Sequence, residues 1–244
     1  VSERPVLRLE NVSLEYERGR RPIHALDAVS LDLFAGELAG VWGRRGSGKT
    51  SLVHVAAGIV APTAGAVFLD GEVLAQDRCG TLHARIGLAT RRGPELSELP
   101  VEDWIASALL TSVKRFPEAL RLAHLALERA GAGHLASAAW DELSDGERML
   151  AAIAQAIVRG PRVLLVDDPI AGLAGAERDE VMALLRSIAT TGVAVMMTAA
   201  ELVDLRGLDR IWALRGGRLE GPTVRPTGKV VDLRPTGEGR HGDR

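Results

Sequence analysis

The stretch Gly43-Arg44-Arg45-Gly46-Ser47-Gly48-Lys49-Thr50 constrains the fold more than any other part of this 244-residue chain. It reads as a glycine, four residues, then Gly-Lys-Thr. The apolar run Leu38–Trp42 precedes it, and a segment with helical spacing, Thr50–Ala57, follows. A strand that turns through glycines straight into a helix leaves backbone N–H groups aimed at one spot, with the positive end of the helix behind them. That arrangement seats phosphate. Lys49 is placed to reach the β- and γ-oxygens of a nucleotide, and the Thr50 hydroxyl is offered to Mg²⁺, with Ser51 beside it in the first helical turn. Arg44 and Arg45 read as loop-surface charges, with a cationic phosphate contact as the alternative.

A second apolar run, Val163–Val166, ends in Asp167-Asp168. In an ATPase with such a loop the first acid, Asp167, holds the Mg²⁺ shell, and the next, Asp168, is the position that orients the attacking water. The rest of the chain alternates accordingly. Short strands are expected at Val6–Leu9, Ser30–Leu33, Ala66–Leu69, Val193–Met197 and Ile211–Leu214, with turns at Gly19–Pro22 and Pro62–Gly65. Helical periodicity runs over Val101–Ala130 and Ala176–Ile188. Strand–helix–strand alternation implies α/β architecture with a parallel core sheet.

Composition narrows the function classes. A formal net charge of −2 gives no reason to expect nucleic-acid binding, and the single cysteine, Cys79, excludes an internal disulfide and suits a reducing compartment. The N-terminal stretch has no apolar signal core, and no run approaches the ~20 apolar residues of a membrane span. Membrane association is therefore expected through a partner. Trp104, Trp140 and Trp212 are expected to pack rather than stack on ligand. Lys114–Arg115 is expected on a solvated helix face, and the Pro/Gly/Thr/Arg-rich tail 222–244 is expected to be disordered.

Leu143-Ser144-Asp145-Gly146-Glu147 resembles the signature LSGGQ of ABC ATPases, and Ser144 stands 23 residues before Asp167 (144 to 167), the family spacing. Together with the phosphate loop, the paired acids and the phrases ALDAVSLDLFAGELAGVWG and GIVAPTAGAVFLDG, the chain resembles that family over roughly residues 6–220. Within the family it looks most similar to the subunits that drive lipoprotein and macrolide exporters. Ser144 and Glu147 also form a capping box, so a plain helix start is the competing reading.

The resemblance implies a P-loop NTPase core with an N-terminal antiparallel β subdomain and a helical insertion over about 92–147, all within an ATP-binding domain of residues 1–221. It implies Tyr16, the only tyrosine, stacked on adenine. Two such domains would pair head to tail, with the signature residues Ser144, Asp145, Gly146 and Glu147 facing the ATP of the opposite subunit. A transmembrane permease would dock on the insertion near Arg91 and hold the chain to the inner, cytoplasmic face of the membrane.

Four positions depart from the family pattern. Asp168 replaces a water-orienting glutamate and is one methylene shorter. Ala199, after Thr198, replaces a switch histidine, and no histidine occurs between His134 and His241. Arg91 replaces a glutamine, and Ala174 replaces an aspartate. A fifth change, Asp145 for glycine, brings a carboxylate to the signature. The expectation is an ABC-type ATPase that retains ATP and Mg²⁺ binding but hydrolyses weakly or with a partner's help. The alternative is a non-hydrolysing regulatory subunit. A soluble ABC protein of translation or DNA repair would bring tandem domains or long coiled-coil insertions, which this chain lacks. Because the hydrolysis positions have departed and the signature largely has not, a second ABC ATPase chain in a heterodimer is favoured over a homodimer.

Overall fold

The computed structural model describes residues 4–18, 21–74, 81–95, 97–110, 112–113 and 115–221. Cys79, Lys114, the Gly19–Arg20 part of the expected turn and the tail 222–244 lie outside them. The centre is a six-stranded sheet built from β3 (Leu38–Trp42), β6 (Ile86–Ala89), β7 (Val163–Val166), β8 (Ala194–Ala199), β9 (Arg210–Arg215) and β10 (Arg218–Glu220). Its order is β10-β9-β3-β8-β7-β6, parallel except for the β10 edge. β7 and β8 are buried along their whole length, which is why their sequences run apolar without alternation. Their pleat still sorts the side chains. Leu164 and Val166 pack with the helices on one face, and Val163 and Leu165 pack on the other.

That second face is covered by α1 (Lys49–Ala56) and by a four-stranded antiparallel sheet of β1 (Leu7–Arg18), β2 (Arg21–Leu33), β4 (Ala64–Leu69) and β5 (Glu72–Val73), ordered β2-β1-β4-β5. β1 and β2 are much longer than the four-residue runs expected from the sequence. Register shifts between Leu9 and Glu15 interrupt the alternation, and Asn11 (φ 48°) and Ala28 (φ 47°) take left-handed backbone. Such irregularities hide period-2 patterning from sequence reading.

The first face carries α2 (Val101–Ser107), α3 (Phe116–Arg129), α4 (Asp145–Ile157) and α5 (Gly175–Thr190). The single helical stretch expected over Val101–Ala130 is two helices. Pro117 lacks the N–H an interior position needs, so it sits in the first turn of α3 and the helix begins there. Trp140 is buried and meets Trp104 edge to face at 4.6 Å, and Trp212 is buried in the core, as expected of packing residues.

An ion pair ties the two sheets. Arg210 on β9 donates to both oxygens of Glu37, just before β3, and to the Asp32 carbonyl at 2.6 Å, near the end of β2. Its guanidinium lies between Phe34 and Trp212, 5.0 and 4.7 Å from the ring centres. Glu37 is 9% exposed and also accepts the Phe34 N–H at 2.9 Å. Removing the cation strands a buried carboxylate, so Arg210→Ala is expected to cost about 3–5 kcal/mol in urea unfolding. The double change Glu37→Gln with Arg210→Met recovers most of that loss. A double variant no more stable than Arg210→Ala would show that packing, not charge pairing, sets the cost.

Candidate nucleotide site

The C-terminal ends of the parallel strands bring the expected residues together. β3 ends at Trp42 and the chain turns through Gly43–Gly48 into α1. Gly48 has φ 106°, and a Cβ there would stand 2.3 Å from the Ala25 carbonyl oxygen, so only glycine fits the last turn before the helix. The loop is anchored from several sides. The Gly43 N–H donates to Ala199 O at 3.1 Å, the Ser47 N–H to Arg44 O at 3.1 Å, and the Gly217 N–H to Ser47 O at 3.1 Å. Lys49 folds over the loop, its Nζ donating to Gly43 O at 2.5 Å and Arg44 O at 3.2 Å. Arg44 and Arg45 are exposed.

Asp167, at the end of β7, is gripped by two hydroxyls. Thr50 donates to Oδ2 at 2.8 Å and Thr198, at the end of β8, donates to Oδ1 at 2.7 Å. Thr198 Oγ1 also accepts the Asp168 N–H at 2.9 Å. Thr198 is fully buried, and in the sequence it serves only to mark position 199. Its signal was available: a threonine at the end of an apolar strand that must neighbour β7 in a parallel sheet.

Asp168 follows with φ 52°, a left-handed conformation uncommon outside glycine and found at functional sites. Its Oδ1 is buried without a hydrogen-bond partner among the described residues. Burial pushes its carboxyl above the ordinary carboxylate range. Lys49 pulls it back, Asp167 adds to the rise and Arg91 opposes it. Arg91, just past β6, reaches across to donate to the Ala171 carbonyl. Ala199 is buried against the loop it helps anchor, and its methyl offers no hydrogen bond there. Ala174 is the N-cap of α5 and provides no side-chain cap.

Tyr16, late in β1, is 39% exposed, and its hydroxyl lies 3.3 Å from Ser51 Oγ in the first turn of α1. The hydroxyl contact holds Tyr16 beside the first turn of α1, just after the phosphate loop. The signature is built elsewhere. Ser144 caps α4, accepting the Glu147 N–H at 3.2 Å while Glu147 returns a carboxylate to the Ser144 N–H at 2.8 Å. Asp145 lies 3.6 Å from Arg148. Ser144 also donates to Glu177 at 3.0 Å, a partner that nothing in the sequence spacing singled out. Among the described residues these side chains pair with one another, with Arg148 and His134, and with Glu177 of α5.

The oxygen donors of this site suit a hard cation. Among the described residues no group of three or more His, Cys, Asp or Glu side chains could hold a metal. One carboxylate beside one hydroxyl is what Mg²⁺ uses when phosphates and water complete its octahedron.

Asp168 yields a stability test. Its buried, unpartnered charge opposes folding, and asparagine tolerates the left-handed backbone. Asp168→Asn is expected to raise unfolding free energy by about 1–2 kcal/mol at neutral pH. The folded state holds this proton more tightly than the unfolded one, so protonation at low pH removes the same cost and the gain shrinks there. Loss of stability on Asp168→Asn, by denaturant titration at pH 7, would contradict the account of the buried charge.

Known proteins resemble the chain along most of its length. The family model described as "ABC transporter" matches residues 26–171. The lipoprotein-releasing system ATP-binding protein LolD of Pseudomonas syringae pv. tomato is 32% identical over 224 residues, covering 90% of this chain and 99% of the relative. The macrolide export ATP-binding/permease protein MacB of Rhodospirillum rubrum is 28% identical over 96% of this chain, which spans 36% of that longer protein. Among solved structures, a dimeric ATP-binding cassette bound to ADP and Pi superposes with a TM-score of 0.80 at 24% identity, covering 91% of this chain and all of the other. The chain belongs to the ATP-binding domains of the ABC transporter family.

Proposed function

We propose that this chain is the ATP-binding subunit that energises an ABC-type membrane transporter, and that its own site holds Mg-ATP better than it hydrolyses it. The observation that carries this reading is the split between two sets of residues around one strand end. Thr50, Asp167 and Thr198 form a closed hydrogen-bonded set next to Lys49, while Asp168 has no partner for its inner oxygen and Ala199 offers only a methyl. Lys49 and the loop N–H groups take the phosphates, Thr50 and Asp167 hold Mg²⁺, and Tyr16 supplies a face for the adenine. The bound Mg²⁺ neutralises developing charge on the phosphoryl oxygens.

Asp168 is the weak point. A water-orienting group works through geometry, and misplacement by about 1 Å costs about 10²-fold. The inner oxygen of Asp168 is also buried away from solvent without a hydrogen-bond partner among the described residues. That observation favours the second reading, a regulatory subunit that binds ATP without turnover.

Among the described residues no helix is long and apolar enough to cross a membrane. Force reaches the bilayer through a transmembrane permease, with the cassette peripheral on its inner face. ATP sits between two cassettes, each supplying a phosphate loop to one site and a signature to the other. ATP then drives closure because it binds the closed pair better than the open one. The second cassette is a different chain. The departed residues Asp168 and Ala199 serve this chain's own ATP, and the intact capping box at Ser144 serves the partner's. Intact-mass analysis of the native complex tests this by counting distinct cassette chains, and a fully active complex with two copies of this chain alone would end it.

Two measurements test the site itself. Lys49→Ala is expected to weaken binding of a fluorescent ATP analogue by at least about tenfold, since it removes a charge-assisted contact to the phosphates. Unchanged affinity would place the nucleotide elsewhere. Restoring the missing groups with Asp168→Glu and Ala199→His is expected to raise turnover by about 10–100-fold. Rapid turnover by the unchanged chain would overturn the weak-site reading.

A further inference from the structure

Two helix N-termini meet at one carboxylate. Glu177 lies in the first turn of α5, and its Oε1 accepts the Ser144 hydroxyl, the N-cap of α4, at 3.0 Å. It also lies flat on Gly146 in the first turn of α4. A Cβ at Gly146 would stand 2.8 Å from Glu177 Oε1 and 2.9 Å from its Cδ. The first turn of α4 has few donors to offer an outside anion. The Glu147 N–H is taken by Ser144 Oγ, and the Ser144 N–H by the Glu147 carboxylate. What remains is the Ser144 hydroxyl proton and the N–H groups of Asp145 and Gly146. Glu177 holds the first and covers Gly146. A carboxylate is stabilised at a helix N-terminus for the same reason a phosphate is.

We propose that Glu177 is an internal occupant of the signature's anion seat, and that this chain's signature engages a neighbouring cassette's ATP only after Glu177 leaves it. The inference rests on the paired-cassette reading given above. A γ-phosphate approaching Ser144 meets a like charge where it needs a donor and finds the face of Gly146 filled. Closure therefore includes the cost of breaking the Ser144–Glu177 bond. Because Glu177 belongs to the helix that follows the Asp167-Asp168 loop, the seat of one site is tied to the carboxylate loop of the other within one chain. Glu177 is a positioning residue that sets how much ATP is needed to close the neighbouring site.

The test uses the native complex with fluorophores on the two cassettes, reading closure by energy transfer against Mg-ATP concentration. Glu177→Ala frees Ser144 and uncovers Gly146, so the ATP concentration for half closure is expected to fall about tenfold, the size of one charge-assisted hydrogen bond. Glu177→Gln, close in shape but neutral, is expected to fall less. Asp179→Asn, an exposed acid on the same helix, leaves the midpoint unchanged. Adding Ser144→Ala to Glu177→Ala is expected to abolish the gain, which a purely structural effect on α5 would not do. An unchanged or raised midpoint in both Glu177 variants, with wild-type closure intact, overturns the proposal alone. Absence of ATP-dependent closure in every form overturns it together with the paired-cassette reading.

Discussion

The Asp167 carboxylate accepts one hydroxyl proton from Thr50 at 2.8 Å and another from Thr198 at 2.7 Å, and in doing so joins α1, β7 and β8 at one point. Each partner arrives by a different route. Thr50 is delivered by the glycine turn after β3, Asp167 by a strand buried on both faces, and Thr198 by the neighbouring parallel strand. The register Val166↔Met197 puts the last residue of β7 one position ahead of Thr198's own place on β8, which is what lets the hydroxyl reach. A shift of register in β7 or β8 would turn these side chains to the wrong face. The site therefore depends on the packing of both faces of the sheet as much as on the residues that touch it.

Around that point stand the groups proposed to hold a nucleotide, beside Asp168 and Ala199, where the family resemblance expects a glutamate and a histidine. Lys49, the loop N–H groups, Thr50 and Tyr16 are assembled without contributions from the helical region. Asp168 and Ala199 stand at the ends of the same strands, β7 and β8, and Ala199 presents only a methyl there. Asp168 even keeps a left-handed backbone that a non-glycine residue adopts only at a cost. The signature end of the molecule is likewise engaged, its serine held by Glu177 on α5.

Local patterns made much of this legible. The phosphate loop, the apolar runs of β3 and β7 and the capping box of α4 each depend on neighbouring residues, and each was found where spacing placed it. Longer-range facts were not. The lengths of β1 and β2 were hidden by bulges at Asn11 and Ala28, whose left-handed backbone leaves no simple trace in alternation. The break between α2 and α3 followed from Pro117, a signal outweighed by the Ala and Leu spacing on either side. Thr198 and Glu177 matter because of what they face across the fold, 31 residues from Asp167 and 33 from Ser144 respectively. Spacing cannot supply such pairings until strand order and helix packing are known. Arg91 stood out as a departure, but its reach to Ala171 needed the structure.

If this chain's own site holds ATP better than it splits it, as proposed, the bound nucleotide persists as ATP. The direct measurement mixes the purified chain with γ-labelled Mg-ATP, separates bound from free nucleotide at intervals from milliseconds to minutes, and identifies what remains bound. The account predicts that the bound fraction stays ATP well beyond the time needed to fill the site, with release of intact ATP outpacing release of phosphate. A stoichiometric burst of phosphate on first filling, leaving ADP in the site, would contradict it.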